Sequence, residues 1–93
     1  MSLILEIVLS NRFRKDLKLL AKRSYNLELL NGVVTKLAAK QPLPDKNHDH
    51  APSGDCVGFR ECHISPDWLL IYRVEEDALL LFSSRIETHS DLF

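Results

Sequence analysis

The sequence predicts an α+β domain in the order β-α-α-β-β-β, a helical hairpin packed on a small antiparallel sheet. Three observations carry this prediction. Apolar residues alternate at the start of the chain, shift to helical spacing up to about residue 40, and return after a proline-rich stretch as short apolar runs between turn residues. With 93 residues, no repeat and no low-complexity tract, the whole chain, 1–93, is expected to form one domain.

Leu3, Leu5, Ile7 and Leu9 recur with period two and predict a first strand. Ser10 is a suitable N-cap for the helix that follows. In that helix Phe13, Leu17, Leu20 and Ala21 share one face, while Arg12, Arg14, Lys15, Lys18, Lys22 and Arg23 cover much of the rest. A solvated face explains such a run, and so does a platform for RNA phosphates or an acidic partner. Asn26 can cap a second helix to about Lys40 with Leu27, Leu30, Val34 and Leu37 inward. Gly32 inside it costs about 1 kcal/mol relative to Ala, a cost that close approach of another backbone would explain.

Pro42, Pro44, Pro52 and Gly54 make residues 41–55 a loop, long for a small domain and therefore a place to look for function. The next stretch, Val57 to Ile64, does not alternate cleanly, and a bulge within it would account for the break. Ser65-Pro66-Asp67-Trp68 reads as a tight turn, because Pro presets the second position and Asp bonds its own backbone. Trp68 to Val74 is a nearly continuous apolar run, Glu75-Glu76-Asp77 a hairpin turn, and Ala78 to Phe82 the returning strand.

Composition sets limits. The chain is 45% hydrophobic and 27% charged, as in ordinary globular proteins, and it has no run long enough to span a membrane. The first residues carry Glu6 and lack a basic n-region, so no signal peptide is expected and the cytoplasm is the expected location. Cys56 and Cys62 on one strand would stand about 20 Å apart, too far to bridge. Net charge is −1, but Met1–Lys46 holds nine Lys or Arg against four Asp or Glu, and the remainder three against nine. The basic front half suits phosphate; the acidic back half argues against indiscriminate coating of nucleic acid.

His50, His63 and His89 are the candidate acid/base groups, since imidazole titrates near neutral pH. Asp67 is a candidate base or an orienter for His63, and equally a cap for its own turn. His48-x-His50 is a weak metal pair without a Cys-x-x-Cys or His-Glu-x-x-His frame, so no metal and no cofactor are expected. Trp68 and Phe93 are candidates for stacking on bases, with core packing the competing role for Trp68.

Asp49-His50, Gly54, Gly58-Phe59-Arg60, His63, Pro66-Asp67-Trp68, Leu70-Ile71-Tyr72, Arg85, Thr88-His89-Ser90 and Leu92-Phe93 together resemble the YafQ-like branch of the RelE/ParE toxin superfamily. The similarity spans the chain and is strongest from Asp49 onward. It implies a toxin of a type II toxin–antitoxin pair, an endoribonuclease that cuts mRNA in the ribosomal A site. It implies His50, His63, Asp67 and His89 as the catalytic group, with Arg60, Arg85 and Phe93 toward the RNA. The partners it implies are a neutralising RelB- or DinJ-like antitoxin, the ribosome and its mRNA, and operator DNA only through the toxin–antitoxin complex.

That reaction suits these residues. The RNA's own 2′-hydroxyl attacks the adjacent phosphate, so the protein supplies a base, an acid and positive charge rather than a nucleophile or a metal. Two positions depart from the resemblance: Cys56 stands where relatives often carry an aromatic, and Glu87 where a Gly usually precedes the Thr-His pair. Glu87 and the acidic back half favour an alternative, a catalytically weak or inactive toxin acting through antitoxin binding and operon autoregulation. A ParE-like gyrase inhibitor is a second alternative, against which the histidine set argues.

Overall fold

A computed structural model describes residues 4–50 and 58–87. Strand β1 (Glu6–Leu9) leads into helix α1 (Asn11–Lys22), then helix α2 (Leu27–Ala38) and a single 3₁₀ turn at Asp45–Asn47. Strands β2 (Arg60–Ser65), β3 (Trp68–Glu75) and β4 (Ala78–Ile86) follow. Cys56, His89 and Phe93 lie outside the described residues.

Both helix starts are as the sequence indicates. The Ser10 hydroxyl accepts the Phe13 amide at 2.9 Å, and the Asn26 side chain accepts the Glu28 amide at 3.0 Å. Between the helices the chain reverses through Ser24 at φ 62, a left-handed residue that closes α1 and leaves the two helices as a hairpin. Gly32 has no heavy atom within 4 Å of where a Cβ would stand, so close backbone approach is not the reason for this glycine.

The sheet order is β1-β4-β3-β2. β2, β3 and β4 form an antiparallel meander, while β1 joins the far side of β4 in parallel, with Leu9 opposite Leu81. The sheet is thus mixed: alternation reveals a strand's two faces, not which neighbour it takes. The α+β order of elements stands. β4 runs on through Ile86, beyond the expected end at Phe82, because Ser83 and Ser84 are buried within it.

β1 stops at Leu9, and α1 covers the β4 edge beyond it. Ser10 donates its hydroxyl to the Phe82 carbonyl at 2.6 Å, and the Asp16 carboxylate accepts the Ser84 amide at 2.9 Å. These bonds satisfy backbone groups that a fifth strand would otherwise have to meet. Side chains at paired positions share a face, so Cys62, Trp68, Leu70, Tyr72, Leu79 and Leu81 point toward the helices. There they meet Phe13, Leu20, Leu30, Val33, Val34 and Leu37 in one core. The irregularity expected before Ile64 sits at its end instead: pairing is regular from Arg60 to His63 and shifts between His63 and Ser65. A second shift leaves Phe82 as an extra residue on β4.

Candidate active site

β2 is the edge of the sheet, and the proline-rich loop closes over it. The buried side chain of Asn47 donates to the His63 carbonyl at 2.6 Å. Three residues later His50 makes an isolated antiparallel bridge, its amide to the Glu61 carbonyl at 2.9 Å and its carbonyl from the Glu61 amide at 2.8 Å. At His50 the loop therefore pairs with the β2 edge through a single bridge. It carries His48 and His50 to the face opposite the helices.

Cross-strand pairing defines that face. His63 lies opposite Leu69, which lies opposite Arg85; Glu61 lies opposite Ile71, which lies opposite Ser83. The His63 ring has its centroid 5.5 Å from that of His48 and 6.4 Å from that of His50. Arg85 is two strand spacings from His63, about 10 Å between Cα atoms.

Each imidazole has a defined set of partners. His50 Nδ1 contacts the His48 carbonyl, and its Nε2 faces a Glu61 carboxylate oxygen at 3.1 Å. Both are acceptors, so the ring satisfies both only when it carries both protons. His63 Nδ1 lies 3.3 Å from the Pro66 carbonyl, which also only accepts. A proton on that nitrogen leaves Nε2 with its lone pair free. Asp67 is exposed in the β2–β3 turn, and its carbonyl accepts the Glu87 amide at 2.7 Å.

Behind this face lies a second cluster. One oxygen of Asp49 accepts the Tyr72 hydroxyl at 2.7 Å and Arg60 Nε at 3.1 Å. Burial, and then the bond to Asp49, pushes the Tyr72 hydroxyl well above its ordinary 10.0. Burial likewise pushes the neighbouring Cys62 thiol up to about 12, with Asp49 and Glu61 adding in the same direction. Arg60 is paired with Tyr72 in the row that faces the helices, so its guanidinium is not on the side of His63.

The structure thus brings His50 and His63 together, sets Arg85 in the same row, and places Asp67 at the adjoining turn. It does not place Arg60 with them. Trp68 requires a correction: at 1% exposure, with its indole N–H donated to Ser84 Oγ at 2.8 Å, it is a core residue with no face left for a base. Glu87 pairs with Arg85 at 3.1 Å. Sequence reasoning missed Glu61, although a residue two before His63 on a strand shares its face. It also missed Asn47, whose partner lies too far along the chain to leave a local signal.

Residues 5–93 match the family model described as bacterial toxin of type II toxin-antitoxin system, YafQ. The chain is 39% identical over 89 residues to an mRNA interferase toxin YafQ of Escherichia coli K12, covering 95% of each. It superposes on the toxin of the E. coli DinJ–YafQ toxin–antitoxin complex with a TM-score of 0.81 and 34% identity, over 96% of this chain and 97% of that one. A metal-bound toxin from Helicobacter pylori gives 0.82 at 46% identity, over 97% and 100%. The fold and the length matched agree, and the chain belongs to the YafQ family of type II toxin–antitoxin toxins.

Proposed function

We propose that this protein is an endoribonuclease that cleaves mRNA in the ribosomal A site and so inhibits translation. The observation that carries the reading is the convergence on the open face of the sheet of His50 and His63, with Glu61, on the same strand as His63, facing the His50 ring. Family membership supports the substrate class, since the E. coli relative is an mRNA interferase.

In this reading His63 Nε2 takes the proton of the attacking 2′-hydroxyl, because its other ring nitrogen is held by the Pro66 carbonyl. His50, held between the His48 carbonyl and Glu61, is the second imidazole on this face, near the charge that builds on the phosphate. Arg85 adds positive charge from β4. His89 completes the set as the acid for the 5′-leaving oxygen, Asp67 orients the turn beside His63, and Phe93 holds the nucleotide. DNA is spared because it lacks the 2′-hydroxyl.

His48, His50, His63 and Glu61 carry donor types that bind divalent cations, yet among the described residues no group of three or more has metal-binding geometry.

The exposed basic residues of α1 suit ribosomal RNA phosphates. An antitoxin of the DinJ kind is the proposed neutralising partner, and exposed Ile7, Val8, Leu19 and Leu29 are apolar surface for it to cover. The proposed place of action is the cytoplasm, where ribosomes translate mRNA; among the described residues no helix is long and apolar enough to cross a membrane.

The test is cleavage of a defined mRNA programmed into ribosomes, with 5′ ends mapped, for wild type and His63→Gln. Cuts at A-site codons that require ribosomes and fall about 10²- to 10⁴-fold in the variant are expected. Ribosome-independent cutting, or an equally active His63→Gln, would overturn the reading.

A further inference from the structure

The Asp49 cluster sits on the side of the sheet away from the histidines, yet it is joined to them by one peptide unit. In extended chain successive side chains point to opposite faces. His50 is held extended by its bridge to Glu61, and Asp49 precedes it. Asp49 reaches toward the helix side, to Tyr72 and Arg60, while the His50 ring stands on the other side near His63.

Tyr72 is the fixed member of this cluster. It is 2% exposed, its ring is part of the core, and its hydroxyl meets Asp49 at 2.7 Å. Arg60 is half exposed and bonds the same carboxylate oxygen at 3.1 Å. His50 is set by its backbone bridge to Glu61 and by its ring contacts with Glu61 and the His48 carbonyl, and the bonds of Asp49 to Tyr72 and Arg60 tie the preceding residue to the body of the sheet.

We infer that Tyr72 is a positioning residue for His50, acting through Asp49, with Arg60 as the outer support of the same carboxylate. The inference rests on the proposed role of His50 in RNA cleavage. It gives Arg60 a task other than phosphate contact and explains why a tyrosine rather than a phenylalanine ends the buried row of β3. The raised titration of the Tyr72 hydroxyl accords with a donor that keeps its proton against the carboxylate.

Tyr72→Phe removes only the hydroxyl and leaves the ring in the core. The readouts are the ring nitrogen and carbon NMR signals of the four histidines, the melting temperature, and the kcat and KM for mRNA on programmed ribosomes. His50 signals should shift or broaden most, with a melting temperature close to wild type. kcat should fall about ten- to hundredfold with KM nearly unchanged, as expected when a group is displaced by a fraction of an ångström. Arg60→Lys, which keeps a cation beside Asp49, should retain more of the rate than Arg60→Ala. Unchanged His50 signals in a folded Tyr72→Phe protein would overturn the inference. Equal shifts at all histidines with a large loss of stability would also overturn it, since Tyr72 would then be a general packing residue. A selective His50 shift in a protein whose wild type does not cut mRNA would support the positioning role and overturn the endoribonuclease reading instead.

Discussion

Asn47 and His63 are joined by a bond from the Asn47 amide to the His63 carbonyl at 2.6 Å, across sixteen residues of sequence. Asn47 is 5% exposed, so no water can readily replace this donor. Asn47→Ala should therefore destabilise the fold by about 1–3 kcal/mol, the cost of leaving a part-buried carbonyl unpaired. Urea unfolding measures it. A variant as stable as wild type would mean that the loop does not depend on this anchor.

Trp68 offers a test that separates core from contact surface. Trp68→Phe keeps an aromatic in the core and deletes the N–H that meets Ser84. Stability should fall by about 1 kcal/mol for the lost bond. Cleavage on ribosomes should be unchanged at temperatures well below melting. A folded variant with much weaker RNA affinity would return Trp68 to the RNA-contacting set.

The buried thiol of Cys62 predicts an alkaline weakening of the fold. In the unfolded chain the thiol ionises around its ordinary 9.0, whereas in the folded chain it holds its proton to about 12. Between those values the folded state binds more protons than the unfolded state, so stability declines as pH rises. The raised Tyr72 hydroxyl acts in the same direction. The urea midpoint should drop from about pH 9 upward, and Cys62→Ala should flatten that slope. A midpoint that does not change between neutral pH and about 10.5 would contradict the buried, protonated thiol.

Glu87 bears on the strength of the site. Its carboxylate holds the Arg85 guanidinium at 3.1 Å, and both side chains are close to half exposed. An exposed pair of this kind adds little to stability. It does offset a cation that lies in the His63 row. Glu87→Gly should leave the melting temperature nearly unaltered and raise cleavage on ribosomes several-fold, most clearly at low salt. Equal or lower activity would show that the ion pair does not restrain Arg85.

Much of this arrangement was legible in local pattern. Ser10 and Asn26 cap their helices as their side-chain chemistry requires, and Pro66-Asp67 turns the chain between β2 and β3. What escaped was long-range. The proline-rich loop reads as irregular, yet Asn47 and His50 tie it to β2, because hydrogen-bond partners in a sheet are set by register rather than by neighbours in sequence. Arg60 and His63 look like members of one site in the sequence, but three steps along a strand put them on opposite faces. Glu61 was within reach of the same parity argument. The family resemblance supplied the histidine set; the sheet register shows which described side chains share its face.

The parallel docking of β1 has a consequence for how the molecule assembles. Ser10 and Phe82 meet across a separation of 72 residues, whereas β2, β3 and β4 are joined by tight turns. Closing so long a loop delays contact, so the three-strand meander is expected to form first and β1 to arrive late. The same asymmetry applies in the finished protein: fraying should begin at β1, and amide exchange at Ile7 and Val8 should outpace that at Leu70. The part of the histidine face that the meander carries, His63 with Arg85 in its row, is expected to form early and exchange slowly. It can therefore hold its shape while the other edge of the molecule opens and closes.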